Sequence, residues 1–229
     1  MKAVIMAAGR GVRMLPLTKT IPKVLVEVNG RPFLWYVIDN LHTAGITDIC
    51  LIVSYKKEKI AEFLKKYDIK AEMIEQKVPQ GTGQAVSLAK SFTKDDDFIV
   101  LGGDNLWSPN DIKRITLQKQ ALLGLKVANP EKYGVLVVND GKLVRIHEKP
   151  KEFVGDLINT GLYKFTSEIY NCLAQIKLSE RGEYELTDAL GLLAQKENVA
   201  VITIKDYWLD LGTIADIEKI EKFLREKEK

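Results

Sequence analysis

Cysteine and histidine are nearly absent from this sequence, with two of each in 229 residues. Cys50 and Cys172 sit inside apolar stretches, and no Cys/His spacing suits zinc. A disulfide framework and a structural zinc site are therefore excluded, and a reducing compartment is expected. His42 and His147 fall in helix and strand patterns and read as structural rather than catalytic. No apolar run approaches the length of a membrane helix, and the apolar start is too short for a signal peptide. The expectation is a cytoplasmic chain with no membrane partner. An excess of one charge is also missing: 34 Lys and Arg face 31 Asp and Glu, a net +3 without a basic tail. That balance gives no reason to expect nucleic acid. No linker rich in Pro, Gly or Ser interrupts the chain, and no internal repeat is visible.

What is present is ordinary in amount and informative in order. Hydrophobic residues make up 46% and charged residues 28%, as in soluble globular proteins of a length that buries a real core. "KAVIMAA" (2–8) is a continuous apolar run of the kind buried on both faces of a parallel sheet. A helical pattern over 33–45 ends at Gly45, a candidate C-cap. Strand at 48–54, helix at 57–67, strand at 70–76, helix at 81–92 and strand at 97–104 follow. This alternation predicts an α/β fold, a Rossmann-like, mostly parallel or mixed sheet flanked by helices. After residue 120 the pattern turns strand-rich at 122–129, 133–150 and 155–165. Within it, Asp140-Gly141 between apolar alternations predicts a hairpin. Helices at 166–176 and 186–196, a strand at 199–204 and a charged helix at 213–227 complete one domain with two lobes.

The stretch "MAAGRGVRMLP" (6–16) places glycines and arginines directly after the first strand. A dinucleotide loop needs G-x-G-x-x-G, but Met14 stands at the third glycine and Pro16 and Pro22 extend the loop. A Walker run is absent. A third reading is a long phosphate cradle, in which glycines permit close backbone approach and Arg offers paired donors. Against it stands a plain glycine-rich turn with solvated arginines.

The wider segment "MAAGRGVRMLPLTKTIPKVLVEVNGRP" (6–32) resembles the signature of the sugar-1-phosphate nucleotidylyltransferases. Gly9, Gly11, Arg13, Pro16, Thr18, Pro22, Lys23 and Leu25 match that pattern, while Val12 replaces its usual Thr or Ser. Further segments resemble the family in the same order: "EQKVPQGTGQA" (75–85), "LGGDN" (101–105), "YGV" (133–135), "EKP" (148–150), "NTGLY" (159–163), "EYELTDAL" (183–190) and "WLDLGT" (208–213). The resemblance implies the nucleotide-diphospho-sugar transferase type of fold over 1–229, with a nucleotide-binding lobe at 1–120 and a sugar-binding lobe at 121–229.

It also implies a reaction and a set of residues. A nucleoside triphosphate and a sugar 1-phosphate would give an NDP-sugar and pyrophosphate, with UTP or dTTP and glucose 1-phosphate favoured. The nucleotide would be held by Ala8, Gly9, Gly11, Arg13, Gln76, Gly81 and Thr82. Tyr133, Gly134, Glu148, Lys149, Asn159 and Gly161 would hold the sugar. Arg13, Lys23 and Lys149 would act catalytically, and Asp104 and Asp210 would bind Mg²⁺. Each residue has a plainer reading. Asp104 at a strand end can cap a helix, "WLDLGT" can be a helix entry with a buried Trp208, and Lys23 can be a surface lysine. The other readings of the whole are a cytidylyltransferase acting on a non-sugar phosphate and, motivated by Val12, a non-catalytic sugar-nucleotide-binding module. Relatives use the second half and terminal helix in subunit contacts, so a homo-oligomer is a further expectation. The lack of hexapeptide repeats carries no expectation of acetyltransferase activity.

Overall fold

The computed structural model describes residues 1–227. Strand β1 (Lys2–Ala7) opens the chain, and a long loop with three short 3₁₀ turns leads to the ribbon β2 (Glu27–Val28) and β3 (Arg31–Pro32). Then come α1 (Phe33–Thr43), β4 (Asp48–Val53), α2 (Lys57–Lys66), β5 (Glu72–Glu75), α3 (Thr82–Leu88), α4 (Lys90–Thr93), β6 (Phe98–Gly102), β7 (Asn105–Trp107) and α5 (Pro109–Thr116). The second half holds β8 (Ala121–Lys126), β9 (Gly134–Asn139), β10 (Lys142–Glu148), β11 (Leu157–Phe165), α6 (Ile169–Leu173), α7 (Leu186–Lys196), β12 (Ala200–Thr203), β13 (Trp208–Asp210) and α8 (Ile214–Lys227).

One nine-stranded sheet, ordered β5-β4-β1-β6-β11-β8-β12-β10-β9, runs through both halves of the chain. Around β1 the pairing is parallel, with β4 and β6 in register along nearly its whole length. Beyond β6 it becomes antiparallel, except where β12 lies parallel to β8. At the far end β9 turns back to touch β11 through Ile158 and Val135. Alternation explains why β1 is apolar throughout: Ala3, Ile5 and Ala7 enter the core on one face and Val4 the core on the other. The first core packs α1, α2, α5 and α8 on the sheet; the second packs α3, α6 and α7.

Local chemistry sets several boundaries. Gly45 has φ +86, and its N–H and that of Ile46 bond back to His42 and Leu41, closing α1 with a Schellman turn. Asp140 and Gly141 both have positive φ, +49 and +71, as the tight hairpin between β9 and β10 requires. The helix expected at 81–92 breaks in two at Ala89, and the one expected at 166–176 is shortened to α6. No helix among the described residues is long and apolar enough to cross a membrane. The charged terminal run forms α8, and positions 228 and 229 lie outside the described residues.

Candidate functional site

Because β1, β4 and β6 are parallel, their carboxyl ends reach one edge of the sheet, where a crevice forms. The loop after β1 is built around Lys23. Gly11 has φ +64, and a Cβ there would lie 2.7 Å from the Lys23 Cβ. Thr18 Oγ1 donates to the Gly11 carbonyl at 2.8 Å. Glycine at 11 thus serves the loop's own packing by letting the Lys23 stem pass. Gly9 differs: a Cβ there would meet nothing within 4 Å, and its backbone lines the crevice. Pro22 is extended and starts the 3₁₀ turn Lys23–Leu25, which is buried. Lys23 is no surface lysine; it is 7% exposed, and its Nζ donates to Asp104 Oδ2 at 2.6 Å.

Asp104 does not cap a helix. It occupies the turn between β6 and β7. "WLDLGT" begins as strand β13 (Trp208–Asp210) with Trp208 half-buried, and its end does lead into a helix, α8, which starts at Ile214. β13 pairs antiparallel with β7, setting Asp210 opposite Asn105 and Leu209 opposite Leu106. The Leu211 N–H donates to the Asp104 carbonyl at 3.0 Å. Two carboxylates remote in sequence are therefore neighbours. Burial first, and then the charge of Asp104, push the Asp210 carboxyl up to about 6, while Lys23 and Arg13 pull the other way. Arg13 is exposed on a 3₁₀ turn anchored by buried Met14; its charge reaches Asp210, although it does not line the crevice.

The crevice has two compartments. The first, about 290 Å³, is lined by Ala8, Gly9, Lys23, Gln76, Gly81 and Thr82 among others. The second, about 250 Å³, includes Asn105, Glu148, Gly161, Tyr163, Arg181 and Glu185. Met6, Thr82, Gly102 and Asp104 line both, so Asp104 stands at the junction. Each compartment has a single lining cation, Lys23 in the first and Arg181 in the second.

In the first compartment Gln76 is buried and its orientation is fixed by its neighbours. Gln84 Oε1 accepts from the Gln80 N–H at 3.0 Å, which assigns it as the oxygen. Gln76 Nε2 then donates to Gln84 Oε1 at 2.7 Å and to the Gly81 carbonyl at 3.1 Å. No described hydrogen bond uses Gln76 Oε1, and no buried side-chain polar atom among the described residues lacks a partner. That oxygen must therefore open to the compartment as an acceptor. Gly81 is required by contact: a Cβ there would lie 2.5 Å from the Tyr184 carbonyl.

The residues expected to hold a sugar divide. Glu148 and Gly161 line the second compartment, whereas Tyr133, Gly134, Lys149 and Asn159 do not. Asn159 uses its amide locally: Nδ2 donates to the Tyr163 hydroxyl at 2.7 Å, and Oδ1 accepts from the Gly161 N–H at 3.0 Å. These bonds hold the register shift of β11 in which Gly161, φ +83, faces open space. Gly134 lets Glu148 cross over it, since a Cβ there would come within 3.1 Å of Glu148 Oε2. Tyr133 meets Trp208 edge to face at 5.9 Å. Lys149 lies on the rim, its Nζ 3.9 Å from Glu148 Oε1.

Sequence reasoning missed Arg181, Glu185 and Asn105. Arg181 donates through Nε and Nη2 to buried Glu185 at 3.1 and 2.6 Å. The i, i+4 spacing of this pair was visible beside "EYELTDAL". Asn105 directly follows the aspartate that drew attention.

The donor set suits a magnesium ion. Asp104 and Asp210 are hard oxygen ligands whose charges act on each other, although Asp210 lines neither compartment, and Mg²⁺ characteristically takes one or two carboxylates, with water and phosphate completing its shell. Among the described residues no group of three or more His, Cys, Asp or Glu could hold a metal alone, so substrate or water oxygens would be needed.

Comparison with known proteins bears on this geometry. The sequence pattern of the family described as "Nucleotidyl transferase" matches residues 2–227. The bifunctional protein GlmU of Methanocaldococcus jannaschii is 40% identical over 228 residues, covering 99% of this chain and 55% of its own. The chain thus spans about half the length of such relatives. UTP–glucose-1-phosphate uridylyltransferase AglF of Haloferax volcanii is 33% identical and matched over 99% of this chain and 98% of its own length. A putative glucose-1-phosphate thymidylyltransferase from Bacillus anthracis, solved with sucrose, superposes with a TM-score of 0.88 at 28% identity, covering 98% of this chain and 95% of that one.

Proposed function

The chain belongs to the nucleotidyl transferase family, and from that premise we propose that it transfers a nucleoside monophosphate from a nucleoside triphosphate to a sugar 1-phosphate, releasing pyrophosphate. The observation that carries this reading is the pair of compartments meeting at Asp104, each with its own cation. Two anionic substrates need such an arrangement.

An oxygen of the sugar phosphate attacks the α-phosphorus in line, the bond between that phosphorus and the bridging α–β oxygen breaks, and pyrophosphate leaves with the electron pair. The attacking phosphate is mostly dianionic at neutral pH, since its second pKa is ~6. No general base is required. The barrier is repulsion between polyanions, so the chain's task is positioning and charge neutralisation. Lys23 holds the α-phosphate, and its buried ion pair with Asp104 keeps its ammonium at the junction before substrate arrives. Arg13 on the loop receives the departing pyrophosphate. Arg181 and, from the rim, Lys149 hold the phosphate of the sugar. Glu148 accepts from sugar hydroxyls, and Gly161 gives the ring access to the backbone. Asp104 and Asp210 would hold Mg²⁺, which neutralises triphosphate charge and polarises the phosphoryl oxygens.

The base is read by Gln76. A fixed acceptor there matches the N3–H of uracil or thymine and opposes the bare N3 of cytosine. This favours UTP or dTTP with a hexose 1-phosphate, glucose 1-phosphate first. A panel of UTP, dTTP, CTP, ATP and GTP against glucose, N-acetylglucosamine and mannose 1-phosphates and phosphocholine, read by pyrophosphate release with and without Mg²⁺, tests it. Turnover confined to UTP or dTTP with a sugar phosphate is expected. Release with CTP and phosphocholine alone would overturn it, and ligand binding with no release anywhere would make the chain a sensor instead.

A further inference from the structure

One hydrogen-bonded chain through the site has no part in the steps above. Trp208 Nε1 donates to Asn105 Oδ1 at 2.9 Å, and Asn105 Nδ2 donates to Asp104 Oδ1 at 2.9 Å. The other carboxylate oxygen of Asp104 receives Lys23. We infer that Asn105 and Trp208 form a positioning pair, in which the indole fixes the Asn105 amide and that amide fixes the plane of the Asp104 carboxylate.

The direction of each bond is forced. An indole N–H can only donate, so Asn105 must turn its oxygen to Trp208 and its nitrogen to Asp104. Without the indole, the amide could reverse and set its oxygen against a carboxylate oxygen. An aspartate carboxyl otherwise rotates in a broad well about its last torsion. Here both oxygens are engaged. Gly102 leaves the room this arrangement needs, because a Cβ at that position would lie 2.8 Å from Asp104 Oδ1 and 3.3 Å from Asn105 Nδ2. The β7–β13 ribbon supplies the geometry: the pairing that sets Asp210 opposite Asn105 also carries Trp208 alongside. The Trp208 ring in turn rests edge to face on Tyr133, so the support for a carboxylate at the end of β6 comes from the second half of the chain.

The inference rests on the proposed function for the role of Asp104, but its test does not depend on turnover alone. Mn²⁺ affinity, read by electron paramagnetic resonance on the full chain in the presence of a non-hydrolysable UTP analogue, would be compared for wild type, Trp208→Phe, Asn105→Ala and the double variant. Phenylalanine keeps an aromatic ring against Tyr133 and removes the N–H. Partners of this type change metal affinity or activity by about 10- to 100-fold. W208F should therefore weaken Mn²⁺ binding by about 10-fold or more. It should lower kcat on the substrate pair found by the panel, leave KM for the triphosphate nearly unchanged, and shift the melting temperature little. N105A should do at least as much, and the double variant should be no worse than N105A, since Trp208 acts through Asn105. Unchanged Mn²⁺ affinity in W208F, or effects that multiply in the double variant, would overturn the pair. Should N105A fail to fold, W208F decides. A wild-type chain that takes no Mn²⁺ overturns the metal assignment and this inference together; one that binds it while W208F is unaffected overturns the inference alone.

Discussion

At the scale of single residues, buried charge does most to distinguish this site from an ordinary sheet edge. Lys23 would be expensive to bury without Asp104, and the pair survives because it lies where water and substrate still reach the carboxylate. Lys23→Met should keep the stem packing beside Gly11 while removing the ammonium. The expected result is a fall in kcat of about a hundredfold or more, as for other preorganised charges, with the melting temperature within a few degrees of wild type. Near-normal turnover would remove Lys23 from the mechanism. Asp210 makes the opposite prediction for stability. Its carboxyl is raised from 3.8 to about 6 by burial and by Asp104. The folded state thus holds its proton more tightly than the unfolded chain, and stability is lost as pH rises from about 4 through about 6. Asp210→Asn should therefore raise the metal-free melting temperature at pH 8. On the order of 2 kcal/mol corresponds to roughly 5 °C for a chain of this size. The gain should vanish near pH 4, and calorimetry across that range checks it. Equal gains at both pH values would show that the side chain's charge is not the cause.

Elements rather than residues decided what could be read from the sequence. The parallel strands around β1 were legible because each is apolar on both faces, and the β9–β10 hairpin because Asp140-Gly141 suits a turn with positive φ. Gly45 ended α1 as its chemistry dictates. The break at Ala89 carried no signal, since no proline or glycine marks it. The β7–β13 ribbon was illegible for a different reason. Three-residue strands have almost no periodicity, and their partners are about a hundred positions apart, so nothing local announces that Asp210 faces Asn105. On the nucleotide side, motif resemblance picked out Ala8, Gly9, Lys23, Gln76, Gly81 and Thr82, which line the first compartment, and Gly11 and Arg13, which do not. The division of labour among the residues expected to hold a sugar was not legible, because Asn159 and Gly134 shape a bulge and a crossing that only tertiary contacts define. That bulge makes its own prediction. Gly161 faces open space at φ +83, so Gly161→Ala meets no clash but carries a left-handed penalty of about 1–2 kcal/mol. Its methyl group would project into the second compartment, the proposed sugar site. KM for the sugar phosphate should rise several-fold while KM for the triphosphate holds, and steady-state kinetics with each substrate varied would separate the two.

For the whole molecule, the continuous sheet ties the two halves into shared cores. Cys50 comes from the first half and Cys172 from the second, yet both are buried in one cluster beneath α3, α6 and α7. Burial, and then Glu72 and Asp48, push the Cys50 thiol up to about 12, and burial raises Cys172 as well. Neither should react with a thiol reagent in the native protein. With rising denaturant both should become reactive at one midpoint, followed by mass spectrometry of each labelled peptide; separate midpoints would mean that the lobes unfold independently. The strand order has another outcome, for how copies of the chain meet. At one border β9 meets β11 only through Val135 and Ile158, and at the other stands the four-residue β5, where Glu72 and Glu75 are exposed. At the β5 border the two carboxylates discourage backbone-templated stacking of one copy on another. A protein shaped this way should stay clear at concentrations where sheets with bare margins turn cloudy.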